Sequence, residues 1–108
     1  EAGLSIPPRV TPTGFRARGS LLEADSRIAR DLAAAHRAEH RTDPAVFMLP
    51  TTTDARTYLN DFGVPAVCFG AVAHDMHGID ESVELQSIVD AAQTLSRFLL
   101  NRFGEAPA

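Results

Sequence analysis

The chain has 108 residues, a formal net charge of −4, 22% charged and 44% hydrophobic residues, and a single cysteine. That is enough chain for one small domain. Mild acidity without a basic cluster argues against a nucleic-acid partner, no apolar run is long enough to cross a membrane, and no secretory h-region is visible. Cys68 has no partner for an internal disulfide, so a reducing cytoplasm is the default expectation. The sequence opens on Glu1 and not on methionine, which suggests a processed product or a piece of something longer.

Residues 1–13 hold Pro7, Pro8 and Pro12 without periodicity. Proline fixes φ and removes a donor, so this stretch reads as a linker, an edge segment or a frayed end. Residues 14–22 alternate weakly, Phe15 and Ala17 against Arg16 and Arg18, as a short edge strand would. Residues 25–41 read as a helix. Asp25 or Ser26 would cap its first turn, and Ile28, Leu32, Ala35 and His36 recur on one face. Pro44 ends it, since the residue before a proline is pushed out of helical geometry. Residues 45–49 are a second apolar run closed by Pro50.

Thr51, Thr52 and Thr53 then offer a cap for a short helix over residues 54–62, with Asp54 at the positive end of its dipole and Gly63 at the C′ position. Val64, Ala66, Val67, Cys68 and Phe69 lie between Gly63 and Gly70. This run is too short for a helix and fits an interior strand. His74, Asp75, His77, Asp80 and Glu81 follow within eight residues. Ligands collect at the carboxyl ends of strands in open α/β sheets, so this loop is the place to expect a metal. Leu85, Ile88, Val89, Ala92, Leu95, Leu99 and Phe103 form one stripe of a last helix that Gly104 stops. Strands alternating with helices predict an α/β fold with a mostly parallel sheet flanked by helices. Two clear strands are few for a sheet, and the apolar faces need more partner surface than the chain offers.

Three stretches together resemble the M20 metallopeptidase family, which includes acetylornithine deacetylase and succinyl-diaminopimelate desuccinylase. They are Thr53-Asp54-Ala55-Arg56, Gly63-Val64-Pro65-Ala66-Val67-Cys68-Phe69-Gly70, and His77-Gly78-Ile79-Asp80-Glu81-Ser82-Val83-Glu84-Leu85. Thr51-Thr52 stands where the family often has two glycines, which makes that turn less permissive. The resemblance implies the C-terminal part of a zinc-peptidase-like catalytic domain over residues 20–108. Residues 1–19 would be the end of a lid domain, which often mediates dimerisation, and the return linker. It further implies two zinc ions in the complete enzyme, with cobalt or manganese as alternatives, a homodimer, and cleavage of the amide bond of an N-acyl amino acid or small peptide. The remaining ligands and the general base would lie upstream, so no catalytic residue is expected in this chain and the isolated chain is expected to be inactive. The alternative is a truncated, non-catalytic remnant or a partner-binding subunit.

On this resemblance His77 is a metal ligand, donating a neutral ring nitrogen to one zinc; otherwise it is an exposed loop histidine. Arg56 resembles an arginine that holds a substrate carboxylate, for which a guanidinium is suited; the other reading is an ion pair with Asp54 or Asp61. Asp80 and Glu81 are expected to hold the loop and sit at the start of the last helix, Glu81 being the better candidate to support a ligand. Thr53 and Asp54 most simply cap and charge a helix start. His74 is expected to be a rim residue or a loop hydrogen-bonder. His36-Arg37-Ala38-Glu39-His40 matches His-x-x-Glu-His, a zinc signature, but no third ligand accompanies it. Cys68 reads as a small hydrophobe within a strand.

Overall fold

The structure is a computed structural model that describes residues 8–104. Five elements follow in order: α1 (Arg27–His40), α2 (Ala55–Asp61), β1 (Ala73–His74), β2 (Ser82–Val83) and α3 (Leu85–Phe103). All three helices fall where periodicity and punctuation put them. Gly63 ends α2 with φ +64°, a left-handed geometry that glycine adopts without penalty, and the Val64 N–H donates back to the Tyr58 carbonyl at 2.8 Å. Arg41 closes α1 at φ 57°, its N–H bonded to the Arg37 carbonyl.

The helix starts are less regular than expected. Ser26 occupies the N-cap of α1 but makes no capping bond with its side chain. Asp54, not Thr53, stands at the N-cap of α2, likewise without a side-chain bond. Thr53 Oγ1 instead accepts a weak hydrogen bond from Cys68 Sγ at 3.5 Å.

The expected parallel sheet is absent among the described residues. The only ladder there is a two-stranded antiparallel one, β1 on β2, with Ala73 opposite Val83 and His74 opposite Ser82. Residues 45–49 and 64–69 form no ladder. Both face α1 instead, where Val46, Phe47, Val67 and Phe69 join Leu32 and Ala33 around a cavity of about 310 Å³. A strand is completed by a neighbour's N–H and C=O groups, and neither run has such a neighbour among the described residues. Cys68, expected inside a strand, is exposed. Of the stretch read as lid and return linker, residues 1–7 lie outside the described residues, and residues 8–19 contain no helix or strand.

The core lies between α1 and α3. The two helices pack on each other, and the buried residues are Leu32 and Ala35 of α1 and Ala91 and Thr94 of α3, with Ala35 and Thr94 fully inaccessible. Small side chains on both helices allow this close approach. The Leu/Ile stripe of α3 is therefore not the packed face: Leu85 is 77% and Phe103 72% exposed, and Ile88, Val89 and Leu99 are also exposed. Arg97 with Glu39 and Arg102 with Asp31 (3.4 Å) tie the same two helices. Such partly exposed pairs contribute about 0–1 kcal/mol each.

Candidate functional site

The sequence between β1 and β2 forms the tip of a hairpin whose base is fastened to α3. The Glu84 N–H donates to the Val72 carbonyl at 3.0 Å, extending the ladder by one step. The Val72 N–H donates to Ser87 Oγ at 2.8 Å, and Ser87 Oγ–H donates to the Glu84 carbonyl at 2.6 Å. One hydroxyl thus bridges the hairpin to the first turn of α3. His74 Nε2 lies 3.0 Å from Glu84 Oε1, with both side chains about half exposed. The hairpin therefore leaves β1 and re-enters at β2 with both ends held.

Within the tip, Asp75 (φ 49°) and His77 (φ 66°) are both left-handed. The Gly78 N–H donates to the Asp75 carbonyl at 2.6 Å. A Cβ at Gly78 would lie 2.7 Å from that same oxygen, so the turn requires glycine there. His77 is held in a conformation most non-glycine residues avoid, at the exposed apex of a tethered loop. Backbone strain of this kind clusters at functional positions.

Asp80 and Glu81 lie in the loop before β2, not in the first turn of α3, which contains no acidic residue. Glu84 takes the N-cap position instead. The correction follows from the hairpin: closing β1 onto β2 uses Ser82 and Val83 as strand, which delays the helix to Leu85. His74 makes the loop hydrogen bond expected of it, but its partner, Glu84, carried no assignment in the sequence. Two-residue strands give too little alternation to announce this pairing.

Arg56 sits in the first turn of α2, half-buried, with its guanidinium carbon 5.7 Å from the centre of the Phe15 ring. Its Nε is buried without an acceptor among the described residues. Asp54 forms no ion pair with it among the described residues, and Asp61 lies 3.8 Å from Arg18 instead. The guanidinium is thus stacked but not neutralised.

The His-x-x-Glu-His stretch lies on α1 with His36 and His40 stacked, ring centres 4.7 Å apart. Its side chains are engaged elsewhere. Glu39 is held by Arg97, and His40 Nε2 faces Thr94 Oγ1 at 3.0 Å and the Asp90 carbonyl at 3.2 Å. Among the described residues, no group of three or more His, Cys, Asp or Glu side chains is placed to hold a metal ion. His77 therefore stands as a single donor.

The family model described as Peptidase family M20/M25/M40 matches residues 9–101. The match spans α1, α2, the whole hairpin with His77, and α3 as far as Asn101. No solved structure matches the chain.

Proposed function

The chain belongs to peptidase family M20/M25/M40, and we propose that it is a C-terminal portion of a metal-dependent amidohydrolase. His77 supplies one metal ligand and Arg56 grips a substrate carboxylate. The metal is zinc, with cobalt or manganese as substitutes. The substrate is an N-acyl amino acid or small peptide, cleaved at its amide bond. The complete protein is a cytoplasmic homodimer built on a mostly parallel sheet. Among the described residues, no helix is long and apolar enough to cross a membrane.

The observation that carries this reading is the family match over nearly the whole chain. The tethered, strained hairpin supports the choice of His77. A buried N–H without an acceptor costs about 1–3 kcal/mol, which supports Arg56 as a group whose hydrogen bonding is incomplete in the free chain. Catalytic zinc takes three protein ligands and a water, and a lone His77 does not meet that requirement. The donor set among the described residues does not make a complete metal centre, and the hydrolytic step lies with residues outside it.

The isolated chain is therefore expected not to turn over N-acetylated amino acids with added zinc. Turnover abolished both by a chelator and by His77→Ala would overturn that expectation. An N-acetylated amino acid added to the chain should perturb the Arg56 guanidinium NMR signals and not those of Arg97. Equal effects at both, or none at Arg56, would remove Arg56 from the reading. A second reading, a non-catalytic partner-binding subunit, is favoured by the exposed Val46, Phe47, Met48 and α3 stripe. It expects neither substrate binding at Arg56 nor metal at His77.

A further inference from the structure

The paired histidines of α1 are left over from the site above, and their surroundings differ in a telling way. A carbonyl oxygen only accepts, so the contact from His40 Nε2 to the Asp90 carbonyl at 3.2 Å places the proton on Nε2. The fully buried Thr94 hydroxyl, 3.0 Å away, accepts from the same N–H. It can in turn donate to the carbonyl four residues back in its own helix, that same Asp90 oxygen. His36 has no such arrangement. Its Nδ1 is buried with no hydrogen-bond partner among the described residues, and its ring lies between His40 at 4.7 Å and the edge-on ring of Phe69 at 6.4 Å. A charged His36 would place an N–H at Nδ1 with nothing to accept it.

We propose that the His36–His40 pair makes the packing of α1 acid-labile: His36, set between His40 and Phe69, stays neutral while α1 is packed, and a proton reaches its Nδ1 only as that packing opens. The charged groups around the pair do not remove this barrier. Asp90 on α3 and Asp43 beyond α1 favour a cation at His36, but Asp43 is engaged by Arg37 at 2.9 Å and Asp90 by Gln86 at 2.9 Å. Glu39 is occupied by Arg97, and Phe69 brings no charge. Burial pushes the His36 imidazole below its ordinary value, and the neighbouring His40 adds to the effect. The unfolded chain therefore binds more protons than the folded one below the ordinary histidine value. Stability is complete above that value and falls as pH drops beneath it.

The test is an imidazole-detected NMR titration of the full chain from about pH 8 to about pH 5, the range in which histidine changes charge. Urea unfolding is measured alongside at each pH. His36 should stay neutral for as long as the His40 contacts to Asp90 and Thr94 persist. The folding constant should fall by up to about tenfold per pH unit, the slope of one proton taken up on unfolding. His36→Phe, which keeps a ring against Phe69, and His36→Gln should both flatten that slope. Charging of His36 with the His40 contacts intact, or a wild-type acid slope in both variants, would overturn the proposal. Should the variants not fold, the wild-type ring titration decides alone.

Discussion

Replacing His77 separates the strain of the hairpin tip from its chemistry. His77 sits at φ 66°, where a Cβ crowds the following carbonyl at a cost of roughly 1–2 kcal/mol for an L-residue. Histidine tolerates this region better than most residues, so the lower end of that range applies to His77 and the full range to alanine. His77→Gly removes the crowding but adds about 0.5–1 kcal/mol of unfolded-state entropy. His77→Ala keeps the crowding and gains nothing. The glycine variant should therefore be more stable than the alanine variant by about 0.5–1 kcal/mol and no less stable than wild type. The strain is local, so the sharpest assay is hydrogen exchange at the Glu84 amide, which closes the hairpin on the Val72 carbonyl. Protection there should rise up to about fivefold in glycine over alanine, the factor that corresponds to about 1 kcal/mol. Both variants should lose any metal response. An alanine variant as protected as the glycine variant would refute the strained geometry. A metal response surviving in either would refute the role given to His77.

Two further substitutions probe the scaffold. Thr94→Val keeps the volume of a fully buried side chain but removes one of the two acceptors of His40, and should cost about 1 kcal/mol in urea unfolding. The same change in a His40→Ala background should cost less, and equal costs in both would show that the contact carries no energy. Gly78→Ala drives a Cβ to 2.7 Å from the Asp75 oxygen and should cost about 1–3 kcal/mol, read as lost protection of the Glu84 amide while α1–α3 protection is unchanged.

The helices were legible because their signals are local. The 3.6-residue spacing of Ile28, Leu32 and Ala35 marks α1, and Gly63 and Gly104 sit where α2 and α3 end. What packs against what was not legible. The bulky stripe of α3 outranks Ala91 and Thr94 on any hydrophobic scale, yet Ala91 and Thr94 are the buried residues of that helix. The apolar runs at 45–49 and 64–69 carry strand composition, but composition does not supply the neighbouring backbone that a ladder needs. At the candidate site, His77 is singled out by the family resemblance of its motif. The His74–Glu84 contact, the Ser87 bridge and the contacts of His40 with Thr94 and Asp90 join residues 10, 15, 54 and 50 positions apart. No period of the sequence encodes such pairings.

On the proposed function, the chain offers a metal one ligand, His77, and not a centre. Zinc binding by the full chain, compared among wild type, His77→Ala and His36→Ala by titration calorimetry with NMR of the histidine rings, is the decisive measurement. Weak binding is expected that perturbs the His77 ring, disappears in His77→Ala, persists in His36→Ala, and does not survive gel filtration. Tight, stoichiometric zinc retained by His77→Ala, or lost in His36→Ala, would contradict it.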